Sequence, residues 1–158
     1  MLQQDLSIAL SDALPRVWRF AVRIARDADT AEQIVQRACE CAIRDTHPPP
    51  AGMPFITRMF ETVHALWLDH ADNQPSSNDY RRASAAQLGS KDIVGAVDRL
   101  PQHQRIAMLL VHVEGLSCEE AAIVLRQHVQ TVERHLYAAR VTIGKQLRDR
   151  QEIPAQRS

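Results

Sequence analysis

Along most of the chain apolar residues recur three and four positions apart, and strand-like alternation persists nowhere, so the sequence predicts an all-α protein. Helices are expected over 2–10 and 14–26. In the second, Leu14, Val17, Ala21, Ile24 and Ala25 share a face that Trp18 and Phe20 enlarge, while Arg16, Arg19, Arg23 and Arg26 take the solvated remainder. Asp27-Ala28-Asp29-Thr30 interrupts the pattern, with Thr30 and Gln33 spaced as a capping box. Ala31, Ile34, Val35, Ala38 and Ala42 then stripe a helix running to about Arg44. His47-Pro48-Pro49-Pro50-Ala51-Gly52 reads as a rigid loop. Pro54 opens a long helix to about Ala71, with Ile56, Phe60, Val63 and Trp67 on its core side. Residues 72–90 are too polar to build a core, and a flexible linker is expected there.

The pattern is most informative from Leu100 to Leu147. Ile93, Ala96, Val97 and Leu100 share the face of a short lead-in helix. Pro101 suits a helix's first turn. Ile106, Leu109, Leu110 and Val113 follow at i, i+3, i+4, i+7, and Gly115 suits the stop, where positive φ carries no Cβ penalty. Ser117 and Glu120 can cap a new helix reciprocally. That helix is short, with Ala121, Ala122 and Leu125 inside, and small alanines admit a close crossing. After Arg126-Gln127-His128, apolar positions resume at Val129, Val132, Leu136, Ala139 and Ile143. A short alanine-bearing helix, a tight turn and a second amphipathic helix make a helix-turn-helix. On the last helix Gln130, Arg134 and Tyr137 lie opposite Val132, with Thr131 and Glu133 beside them. Arg pairs with guanine, Gln with adenine, and Glu accepts from cytosine, so this face can read a major groove. The DNA-binding candidates are Arg126, Gln127, Gln130, Thr131, Glu133, Arg134, Tyr137 and Arg140.

Leu100, Pro101, Arg105, then Glu114-Gly115-Leu116-Ser117, Glu120-Ala121-Ala122, and Thr131-Val132 resemble, in step, the fourth conserved region of bacterial RNA polymerase sigma factors of the extracytoplasmic-function (ECF) group. The first half is similar to the second conserved region of that group. Its polymerase-binding motif falls on Ala31, Glu32, Gln33, Ile34, Val35, Gln36 and Arg37, with Gln33 and Arg37 where acids are usual. The resemblance implies polymerase-binding residues among Glu32, Gln33, Val35, Gln36 and Arg37, and promoter-melting candidates Arg58, Glu61, His64, Ala65 and Trp67. The arginine cluster common after the melting helix is replaced by Asp72-Asn73-Gln74-Pro75, and Arg81 and Arg82 come later.

Two small helical domains joined by a flexible linker are therefore expected. Residues 1–71 form a second-region-like domain for core polymerase and the −10 element. Residues 72–90 are the linker, 91–150 a helix-turn-helix domain for the −35 element, and 151–158 a tail. The resemblance implies a dissociable sigma factor whose partners are core RNA polymerase, promoter DNA and an anti-sigma protein. Alternatives are a sigma-like decoy or modulator that binds an anti-sigma factor or polymerase without melting DNA, and a stand-alone helix-turn-helix repressor.

Composition narrows this picture. Lys+Arg and Asp+Glu both number 19, so phosphate attraction alone is weak, as suits a DNA reader that works with a partner. Residues 1–90 hold nine basic against eleven acidic side chains, and residues 91–158 ten against eight. Three cysteines give no disulfide framework, and Cys39 and Cys41 do not converge on one helix face. Seven histidines lack ligand spacing and are expected at surface or capping positions. No nucleophile–base pair, phosphate loop or metal cluster is evident, so no enzyme, cofactor, metal or small-molecule substrate is expected. The N-terminus lacks a basic region followed by an apolar run, and no stretch has membrane-spanning length, pointing to a cytoplasmic protein without membrane insertion.

Overall fold

A computed structural model describes residues 2–45, 52–73 and 93–151. The expected proline-rich loop (Gly52 apart), most of the expected linker with Arg81 and Arg82, and the tail beyond Gln151 lie outside them. The described residues are helical, with no strand among them: α1 (Leu2–Ala25), α2 (Ala28–Arg44), α3 (Phe55–Asp72), α4 (Ile93–Asp98), α5 (Gln102–Met108, continued by a π-helical turn, Leu109–Val113), α6 (Cys118–Leu125) and α7 (Val129–Gln151). Two compact units divide the chain, one built on residues 1–75 and the other on most of residues 76–158.

In the first unit α1, α2 and α3 pack pairwise. Ala13, Val17, Phe20, Ala21 and Ile24 of α1 meet Ala31, Ile34, Val35 and Ala38 of α2 and Met59, Phe60, Val63 and Trp67 of α3. Phe20 and Phe60 pack edge to face at 5.0 Å, a geometry matched to the aromatic quadrupole. The Arg16 guanidinium lies over the other part of this cluster, 5.6 Å from the Phe60 ring. Arg16 is thus part of the packing rather than a purely solvated side chain.

α1 is one helix where two were expected. Pro15 removes a donor from its interior, leaving the Ser11 carbonyl without its helical partner. Ser11 and Pro15 are exposed, so water can take that place. The continuous helix aligns its buried row on 13, 17, 20, 21 and 24. Leu14 and Trp18 then fall beside the core, and Trp18 is 40% exposed. α1 ends at Arg26, whose φ of 60° turns the chain left-handed. The cap of α2 is Asp27, not Thr30: the Asp27 carboxylate accepts from the Thr30 N–H at 2.9 Å and the Thr30 hydroxyl at 2.6 Å. These hydrogen bonds hold its carboxyl below the usual carboxylate range.

In the second unit α4 packs on α5 and α7, and α5 packs along α7. Ile106 and Ala107 of α5 and Val132, Leu136 and Ala139 of α7 are buried where these helices pack, and Leu109 and Leu110 of the π-helical turn are buried beside them. The π-helical turn alters the expected register. The Glu114 N–H reaches the carbonyl of Leu109, five residues back, and the wider turn carries Val113 off the apolar face to 44% exposure. Gly115 (φ 74°) reverses the chain, and Leu116 enters the core while its N–H donates to the Leu110 carbonyl.

Candidate nucleic-acid interface

α6 starts with the reciprocal cap its sequence predicts. The Ser117 N–H donates to the Glu120 carboxylate at 2.9 Å, and the Glu120 N–H donates to the Ser117 hydroxyl at 3.1 Å. Ala121, Ala122 and Val124 are buried. Leu125, expected inside, is half-buried, whereas Val124 is fully buried. The turn after α6 is made by Arg126 with φ 52°, a conformation usually left to glycine. The Gln127 N–H returns to the Ala122 carbonyl and closes that turn. The His128 carbonyl then accepts from the Thr131 and Val132 N–H groups, starting α7.

α7 spans 23 residues, about 34 Å of helix. Val132, Leu136 and Ala139 hold its inner side. Gln130, Glu133, Arg134, Tyr137 and Arg140 are all exposed, and Tyr137 reaches 69%. Spacings of 130-134-137 and 133-137-140 place them on one outward face of the N-terminal half. Thr131 is half-buried at its margin. Arg126 is exposed at the turn, whereas Gln127 is half-buried with its Oε1 turned inward. The Arg140 guanidinium lies 3.4 Å from the His112 ring nitrogen, so the π-helical turn steadies one cation of this face. His112 carries no local sequence signal for this contact, since its partner lies 28 residues further along the chain. A charged and amide-bearing face of this width suits a major groove.

The candidates of the first unit separate by burial. On α2, Glu32, Gln33, Gln36 and Arg37 are exposed, with Gln36 donating to Glu40 at 3.3 Å, whereas Val35 sits in the core. On α3, Trp67 and His64 are each only 7% exposed, their rings 6.0 Å apart. His64 is thereby a core histidine, contrary to the surface or capping role expected for the histidines. Glu61 and Ala65 are half-buried. Arg58 is ion-paired to Asp45 at the C-terminal cap of α2, and its carbonyl accepts from the Thr62 hydroxyl. Arg58 therefore ties α2 to α3 whatever else it contacts.

Among the described residues no group of His, Cys, Asp and Glu could hold a metal ion, and no helix is long and apolar enough to cross a membrane. Cys39, Cys41 and Cys118 are free, and burial pushes the Cys39 thiol up.

Residues 90–143 match the family model described as Sigma-70, region 4. The ECF RNA polymerase sigma factor EcfG of Rhodopseudomonas palustris (strain TIE-1) is 26% identical over 141 residues, 81% of this chain and 77% of its own. The fold is shared with the sigma factor RpoE of Bartonella quintana, solved in complex with the anti-sigma factor NepR. The TM-score is 0.74 at 21% identity, over 92% of this chain and 98% of the other. It is also shared with the anti-anti-sigma factor PhyR of that organism, solved with NepR, at a TM-score of 0.61 and 20% identity, over 90% of this chain and 50% of the other.

Proposed function

We infer that this chain works as an ECF-type sigma factor: it binds core RNA polymerase and directs promoter recognition for transcription initiation. The observation that carries this is the region-4 match over residues 90–143, falling on a helix-turn-helix whose second helix presents a charged, amide-bearing face. The likeness to EcfG across most of both chains extends the reading beyond that one region.

Within this reading the second unit contacts the −35 element. Gln130, Glu133, Arg134, Tyr137 and Arg140 face the groove from α7, with Thr131 at their margin and Arg126 and Gln127 in the turn. Arg134 is the guanine-reading candidate, because it lies centrally on that face and is exposed. The first unit takes core polymerase and the −10 element. The exposed α2 residues Glu32, Gln33, Gln36 and Arg37 would meet the polymerase, while Val35 supports them from the core. Arg58, Glu61 and Ala65 remain the accessible part of the melting surface. A burial that leaves Trp67 and His64 each 7% exposed keeps them from serving as stacking platforms unless α3 rearranges. An anti-sigma protein is the proposed regulatory partner, by analogy with the complex of RpoE and NepR. Action by binding, in the cytoplasm where polymerase resides, completes the assignment.

Core-polymerase binding followed by run-off transcription on genomic promoter fragments tests it. Binding with discrete transcripts is the expected result. Binding without transcripts would make the chain a polymerase modulator. No binding to core would overturn the assignment and leave an anti-sigma decoy or a free-standing DNA binder.

A further inference from the structure

Two imidazoles meet where α5 packs on α7, and the proposed function uses neither. His103, in the first turn of α5, and His135, on α7, stack with ring centroids 5.6 Å apart and planes inclined by 17°. His135 directly follows Arg134, the central residue of the outward face. It is half-buried while His103 is exposed. We propose that this stack is a proton-sensitive clasp that fixes α7 against α5, with His103 a positioning residue that acts on DNA reading through His135. The proposal rests on α7 being the DNA-reading helix.

Neutral rings can stack, but two imidazolium rings 5.6 Å apart repel each other. Burial, then the His103 ring, then Arg134, all push the His135 imidazole below its ordinary range. Nearest the pair in sequence, the elements packed here carry Glu133 and Arg134 on α7, Arg105 on α5, and Asp98 with the following Arg99 at the end of α4; Arg140, Lys145, Arg148, Asp149 and Arg150 lie further along α7. Because the native form holds the proton less tightly than the unfolded chain, the contact is at full strength above about pH 6.5. It weakens as pH falls through the lowered native value. Such a change would loosen the grip on α7 without removing any DNA contact. It also acts against the gain in phosphate attraction that protonation brings.

Amide hydrogen exchange of the full chain, corrected for intrinsic rates, tests the clasp at about pH 7.5 and about pH 5.5. In the wild type, protection of the α7 amides should fall about tenfold on acidification. His103→Phe keeps an exposed ring for stacking but removes the second charge, and should cut that fall by more than half. The His135 ring-proton titration, read by NMR, should move up towards 6.5 in the same variant. Protection of α7 that does not change with pH, or an undiminished fall in His103→Phe, would overturn the proposal. Binding of a short generic duplex at the higher pH, measured in parallel, separates the two readings. Its absence would remove the DNA role of α7, while the exchange data would still decide whether the clasp exists.

Discussion

Arg126 carries two burdens at a single position. Its left-handed backbone costs stability that glycine would not, while its side chain places a cation beside the recognition helix. Arg126→Gly is therefore expected to raise the stability of the helix-turn-helix by about 0.5–1 kcal/mol in denaturant unfolding. The same change should make the salt dependence of duplex binding shallower by about one phosphate contact. Opposite movements in two assays would identify a strained residue kept for its charge. At Arg134, charge reversal to Glu should weaken promoter-fragment binding by about ten- to a hundredfold, with thermal stability nearly unchanged, because the side chain is exposed. Unchanged binding would remove Arg134 from the reading face. Most buried residues of α2 and α7 are legible from spacing alone, since a regular helix repeats its face. Trp18, Val113 and His64 are not. Val113 depends on the π-helical turn that contains it, Trp18 on α1 running unbroken through Pro15, and His64 on neighbours brought by other helices.

For the elements, caps decide where helices begin. Asp27→Ala should cost about 1 kcal/mol, because it orphans the Thr30 N–H at the start of α2, whereas Asp27→Asn should cost much less, since Asn also caps. The lowered Asp27 carboxyl fixes the sign with pH. Its contribution is full above the ordinary value of 3.8 and is lost as pH falls through the lower native value. Acid unfolding of Asp27→Asn should therefore be less steep in that range than that of the wild type. The Ser117–Glu120 box was legible in the sequence because it closes within four residues. The unbroken α1 was not, because a helix continues through Pro15 only where the packing of its buried face outweighs the lost hydrogen bond and ring clash, and that packing comes from α2 and α3. The π-helical turn was equally hidden, since nothing in Leu-Leu-Val-His-Val distinguishes a five-residue step from a four-residue one.

For the molecule as a whole, equal numbers of acidic and basic groups set how it can use DNA. Without polymerase, affinity for a generic duplex should be weak, with a dissociation constant above about 1 μM at physiological salt, and core polymerase should tighten it. Tight binding by the isolated chain would favour a free-standing DNA binder, and anisotropy across a salt series checks this. The all-helical architecture and the helix after the tight turn were legible because each follows from a local period. The melting surface was not: residues 58, 61, 64, 65 and 67 share one helix, yet its packing buries two and pins a third to Asp45. The extra residue in α5 also bears on how the chain can change length over time. Deleting one residue from an ordinary helix swings everything downstream about 100° out of phase. Deleting Val111 should instead resolve the wide turn into a regular one. This makes Leu109–Val113 a place where the chain can lose a residue while the α-helical part of α5 before it, Gln102–Met108, is left intact.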